Sequence, residues 1–148
     1  MQALASNPSF AIYGLSMVVL CLNILGLWTY SGVVRAGSKT AMNPEDARSA
    51  KIEVVEADPP AVARVLRAHR NAVDNIVPFA ILAFVFVAMG ATPMLTAIFC
   101  GAFTFFRLAH SFSYLGQKQP WRSISFVLGG VSTLVMVAFL LRSLVAAM

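Results

Sequence analysis

Two of the four long apolar stretches in this chain carry ionisable residues at helical spacing, and that combination narrows what the chain can fold into. Arg67, Arg70, Asn71 and Asp74 fall at i, i+3, i+4 and i+7, and Arg107, His110, Ser111 and Tyr114 repeat the pattern. Such spacing gathers each set on one helix face. An ionisable side chain inside a membrane span costs about 2.5–3.5 kcal/mol on insertion scales, so these faces belong against other helices or a wet cavity. The pattern predicts a polar, cationic pocket between helices, able to hold a small anion.

The apolar stretches are Phe10 to Val34, about Ala72 to Gly90, Pro93 to about Leu115, and Ile124 to Leu141. Each approaches or exceeds the roughly 20 residues that cross the hydrocarbon as a helix. The chain is 59% hydrophobic and 11% charged, whereas soluble domains are about 25% charged. Its 148 residues therefore read as one all-α integral-membrane domain, with spans at about 10–35, 60–90, 93–116 and 121–142. A membrane barrel would need alternating strands that this sequence lacks. The first apolar run has no Lys or Arg ahead of it and is too long for a signal-peptide core, which marks it as a retained span.

The net charge of +5 does not point to nucleic acid, because every Lys and Arg except Arg107 and Arg142 lies in or beside the first and third connections. By the positive-inside rule those connections face the cytoplasm, and both termini face the other side. A pocket fed by these cations opens to the cytoplasm, in a bacterial inner membrane or the endoplasmic reticulum according to the organism. Cys21 and Cys100 sit in apolar spans without disulfide or metal spacing and read as packed apolar residues; no metal site is indicated.

Local signals set the element ends. Asn43-Pro44-Glu45-Asp46 reads as a helix start, with Asn as N-cap and two carboxylates at the positive end of the helix dipole. Asp58-Pro59-Pro60 reads as the cap and first turn of span two, which would run below the bilayer before entering it. Pro78 removes the donor for the Asp74 carbonyl, so a bend is expected there. Gly90-Ala91-Thr92-Pro93 is a short turn between antiparallel spans, and Gln119-Pro120-Trp121 restarts the chain with Arg122 and Ser123 in the first turn of span four. Gly101, Gly129 and Gly130 would permit close helix contact.

Arg35, Arg70, Arg107 and Arg122 lie near the cytoplasmic ends of four different spans and could converge within one subunit or across an oligomer interface. Arginine's fork binds carboxylates bidentately, which suits a ligand with more than one of them. Asn71 and Asp74 add a neutral partner and an acceptor for an ammonium. At a helix N-terminus, unpaired backbone amides, the Arg122 guanidinium and the Ser123 hydroxyl can all address one developing negative charge, the arrangement that holds a thiol as thiolate. The sulfur would come from the ligand. Arg107 lies deepest and calls for a carboxylate or the ligand, with Asp74 the nearest candidate by depth. Plainer roles stand beside these: an Arg70–Asp74 ion pair within one helix, Asp46 as a helix-start residue, His110 satisfying a buried hydrogen bond, and Tyr114, Trp28 and Trp121 as interfacial or packing aromatics.

The run Arg67-Ala68-His69-Arg70-Asn71 with Asp74 and Pro78-Phe79, preceded by Asn43-Pro44-Glu45-Asp46-Ala47 and followed by Arg107-Leu108-Ala109-His110 through Tyr114-Leu115-Gly116, resembles the MAPEG family, the membrane-associated proteins of eicosanoid and glutathione metabolism. Within it the likeness is to the prostaglandin E synthase and microsomal glutathione transferase branches. The resemblance implies a homotrimer of four-helix subunits with glutathione bound at each subunit interface. Carried over, Arg35, Arg70, Asn71, Asp74, His110 and Tyr114, with Phe126 beside them, would hold glutathione. Arg122 and Ser123 would face its sulfur and Asp46 would lie close to Arg122, while Arg107 and Ser111 would be structural or face the substrate. Asp74 stands where the prostaglandin synthase branch has glutamate, Phe126 where it has tyrosine, and the third connection is one residue shorter. The implied activity is glutathione transfer to a hydrophobic electrophile, or reduction of a lipid hydroperoxide, with the lipid-like substrate entering from the bilayer. An endoperoxide isomerase and a non-catalytic lipid-binding scaffold are the alternatives, and the presence of Arg122 and Ser123 favours an enzyme.

Overall fold

The computed structural model describes residues 6–148. Four long helices, α1 (Pro8–Ser38), α3 (Pro60–Ala88), α4 (Pro93–Leu115) and α5 (Trp121–Ala146), are each long and apolar enough to cross a membrane. Between the first two lies the short α2 (Pro44–Ala50), flanked by two-residue strands β1 (Thr40–Ala41) and β2 (Glu53–Val54) that pair in parallel, Thr40 opposite Glu53. The expected all-α membrane bundle is what forms.

Proline, whose missing N–H costs nothing at a helix start, opens α1, α3 and α4 and occupies the cap position of α5. Asn7 caps α1 by accepting from Ser9 N at 2.9 Å, and the Thr92 hydroxyl caps α4 by accepting from Leu95 N at 3.3 Å. Two expected caps are corrected. Asn43 holds the N-cap position of α2 but makes no side-chain cap; its amide donates to the Asp46 carboxylate instead, at 2.9 Å. Asp58 does not cap α3, because Pro59 takes that position and neither Pro59 nor Pro60 offers an N–H. Its carboxylate pairs with Arg35 at 2.8 Å. The α3 helix runs without a break through Pro78.

Along the shared core, Leu20 and Leu27 of α1, Ala72, Ile76 and Phe79 of α3, Phe99 and Phe103 of α4 and Met136 of α5 are buried together. Lipid is as apolar as these side chains, so their cohesion comes from close packing and not from escape from water. Phe79 and Phe103 stack with ring centroids 3.7 Å apart and planes within 5°, a close ring-on-ring contact between α3 and α4. The outer faces carry Leu15, Leu22, Phe105, Phe112 and Leu134, all mostly exposed, as a lipid-facing surface requires. Cys100 is buried as expected, but Cys21 is exposed on this outer face.

Antiparallel order sets which ends meet. The Ser9 hydroxyl donates to the Ala91 carbonyl at 2.8 Å, tying the start of α1 to the α3–α4 turn. At the opposite end lie the Arg35–Asp58 pair, the C-terminus of α4 and the start of α5.

Candidate functional site

The connection from Gly116 to Pro120 is short and tightly hydrogen-bonded, with Gly116 N on the Phe112 carbonyl at 2.9 Å and Lys118 N on the Ser113 carbonyl at 2.9 Å. Gln117 turns the chain in the left-handed region at φ 58°. This turn folds the first turn of α5 against the last turns of α4, where the His110 Nδ1–H donates to the Arg122 carbonyl at 2.9 Å. A carbonyl only accepts, so a proton sits on Nδ1, and when the ring is neutral Nε2 is an acceptor. That atom is buried without a partner among the described residues.

His110, Arg122, Ser123, Phe126 and Val127 line one open cavity of about 280 Å³. The Tyr114 ring lies against the Arg122 guanidinium, 5.0 Å from centroid to Cζ, and His110 packs edge-on to Tyr114 at 5.6 Å. Five of the expected residues thus form one cluster: His110, Tyr114, Arg122, Ser123 and Phe126. One part of the expectation fails here. The backbone amides of Arg122 and Ser123 are not free for an anion, since they donate to the Lys118 and Pro120 carbonyls, both at 3.0 Å. The helix begins early enough to consume them, so any negative charge in this cavity is met by side chains.

Sequence reasoning missed Gln119. With its amide oxygen toward Arg122, 2.7 Å from Nη2 and 3.2 Å from Nε, its nitrogen lies 3.2 Å from the Ser123 hydroxyl. Its spacing of three and four residues from the pair was the signal that could have found it. Gly129 was noted only for helix contact, yet it makes room for the Arg107 guanidinium.

Arg107 is 1% exposed and has no carboxylate partner among the described residues, Asp74 included. Its Nη1 donates to Asn71 Oδ1 at 3.4 Å, its Nη2 to the Phe126 carbonyl at 3.2 Å, and its Cζ lies 5.4 and 5.1 Å from the Phe103 and Phe126 ring centroids. Neutral oxygens and ring faces replace the expected anion. Asn71 is thereby turned toward the subunit interior. Ser111 is buried and accepts from Asn23 Nδ2 at 3.1 Å, beside an apolar groove of about 420 Å³ between α1 and α4.

The remaining residues do not join the cluster within one subunit. Arg70 and Asp74 are exposed and make no ion pair with each other. Asp46 is exposed on α2 and engaged by Asn43, with no ion pair to Arg122. Arg35 is held by Asp58 and lines a separate groove with Trp28, Ser31 and Leu66.

Fold and site together define a class: an integral, multi-pass membrane protein of four helices, with a cationic half-open cavity where one helix ends and the next begins. The MAPEG family model matches residues 13–142, and this chain belongs to the MAPEG family. It is 34% identical to human prostaglandin E synthase over 125 residues, 83% of this chain and 82% of the relative. The bovine prostaglandin E synthase is 36% identical over 123 residues, covering 82% and 78%. Human microsomal glutathione S-transferase 1 is 30% identical over 142 residues, covering 91% and 88%.

Proposed function

We propose that residues 1–148 form one glutathione-dependent membrane enzyme, a transferase or peroxidase that holds glutathione as its thiolate for attack on a hydrophobic electrophile or a lipid hydroperoxide. The observation that carries this reading is the pairing of Arg122 and Ser123 on one cavity wall with the His110 ring beside them. A guanidinium and a hydroxyl on one wall can stabilise a developing negative charge, an effect that grows where a neighbouring copy or bound ligand excludes water from this open cavity. The thiol proton leaves to water, and the sulfur then attacks from a fixed position.

The cavity of about 280 Å³ falls below the roughly 300–1,000 Å³ of complete ligand pockets. Arg70 and Asp74, exposed on a membrane helix, are badly placed for lipid. Both facts favour an oligomer in which neighbouring copies complete the site; following the family resemblance, we take this as a homotrimer open to the cytoplasm, with Arg35, Arg70 and Asp74 gripping the tripeptide's carboxylates and amine, Asp46 near Arg122, and Asn71 reaching the ligand only through the end of its amide not held by Arg107. An endoperoxide isomerase is the second reading, favoured by relatives named prostaglandin E synthase. Asp74 and Phe126 depart from that branch.

The test is spectroscopic. Purified protein given glutathione should show thiolate absorption in the ultraviolet, and Arg122→Leu should remove it and lower kcat/KM for a reactive aryl halide by about 10²–10³-fold, with the native mass of the trimer unchanged. Lipid binding without any thiolate band in the wild-type protein would point to a scaffold.

A further inference from the structure

The Arg122–Ser123 pair has no help from the backbone, because both amides are already bonded to carbonyls of the preceding turn. Two flexible side chains on the first turn of a helix must then be aimed by something else. Tyr114 supports the flat face of the guanidinium, but a ring face fixes neither its rotation nor the direction of a neighbouring hydroxyl.

We infer that Gln119 is a positioning residue for the thiolate site, its carboxamide aiming both the Arg122 guanidinium and the Ser123 hydroxyl at the sulfur. The inference rests on the glutathione reading above. A carboxamide has an accepting end and a donating end, and here each has a matching partner. The oxygen accepts from Arg122 Nη2 and Nε, at 2.7 and 3.2 Å, while the NH₂ donates to Ser123 Oγ at 3.2 Å. The opposite orientation would set the amide NH₂ against guanidinium N–H groups, donor against donor, so the hydrogen-bond network selects this one.

Two consequences follow for the cavity. Gln119 occupies the Nε–Nη2 edge of the guanidinium, which leaves Nη1 as the end not engaged by it. The Ser123 hydroxyl receives its hydrogen bond on a lone pair, so its own hydrogen is free to be donated to a thiolate. If Gln119 accepted from Ser123 instead, that hydrogen would be used up. The amide does this without cost in charge, since it is neutral and leaves the guanidinium's full positive charge for the sulfur. A carboxylate in the same place would accept from both groups, consuming the hydroxyl hydrogen and offsetting the guanidinium charge. Gln119 does not line the cavity; it bonds the two residues that do.

The experiment compares the full-length wild-type protein with Gln119→Met and Gln119→Glu in detergent micelles, titrating bound glutathione by thiolate absorption across pH. Methionine keeps length and bulk but makes neither bond, so the thiolate midpoint should rise by about one pH unit, roughly a tenfold loss of thiolate well below that midpoint. Gln119→Glu should lose more. Native mass and thermal midpoint should stay at wild-type values for both, because Gln119 is exposed within the subunit and contributes nothing to its packed core. A Met or Glu variant that titrates like wild type overturns the role of Gln119 while leaving the thiolate reading intact. Absence of any thiolate band in the wild-type protein overturns both.

Discussion

Arg107 is the largest of the fully buried side chains, and its neighbours are uncharged. Charge and depth in the sequence call for an anion beside it; the fold answers with the Asn71 amide oxygen, the Phe126 carbonyl and two aromatic faces. Which oxygen a buried guanidinium finds depends on helix rotation and crossing, and residue spacing does not encode these. The glycine that makes the space is equally illegible. A Cβ on Gly129 would lie 2.9 Å from Arg107 Nη2 and 3.0 Å from Nε. The guanidinium is the end of a flexible chain, but it cannot retreat without giving up its bonds to Asn71 and Phe126. Gly129→Ala should therefore cost about 1–3 kcal/mol, the usual price of overpacking, read as a lower thermal midpoint in detergent. Gly130→Ala, where a Cβ meets nothing within 4 Å, should instead hold or raise that midpoint, by up to about 1 kcal/mol of helix propensity.

At the scale of elements, the helices were legible because the signals that build them are local: a proline at or beside each start, a side-chain cap on two of them, and apolar runs of spanning length. The end of α1 was not. Hydropathy stops at Val34, yet the helix continues to Ser38, where the Ser38 hydroxyl donates to the Arg35 carbonyl at 2.7 Å and Lys39 turns the chain at φ 52°. Hydropathy reports contact with lipid, whereas helicity continues as long as the backbone is satisfied. The same polar turn carries Arg35 to Asp58, closing the first connection around α2. Arg35 is 37% exposed, so solvent screening limits the pair to about 0.2–1 kcal/mol. Asp58→Asn should shift global stability by no more than that. Its larger effect should be local, as faster amide hydrogen exchange across 39–59 with the spans unchanged. Equal protection in wild type and variant would show that the strand pairing and α2 hold the connection without the ion pair.

For the whole molecule, the informative fact is a missing contact. Among the described residues α1 packs on α3 and α4, and α5 packs on α4 and α3, but α1 and α5 do not touch. Arg35 on α1 and Arg122 on α5 thus face different grooves of one subunit. The sequence placed both near one end of the bundle, which is correct, but helix order around a bundle is a tertiary property and spacing along the chain does not report it. If both arginines serve one glutathione, they come from different copies, and cyclic symmetry then repeats the shared site at every interface. Arg35→Leu and Arg122→Leu should each be inactive alone. When the two variants are mixed before assembly, roughly one quarter of the interfaces should pair an intact Arg122 with an intact Arg35, and that fraction of wild-type activity should return. Asp58→Asn serves as the control, since it breaks the ion pair but keeps the arginine, and should remain active. Mixed trimers that stay inactive, with normal native mass, would show that the two arginines are not shared across an interface, and would overturn the assignment of Arg35 and Arg122 to different copies.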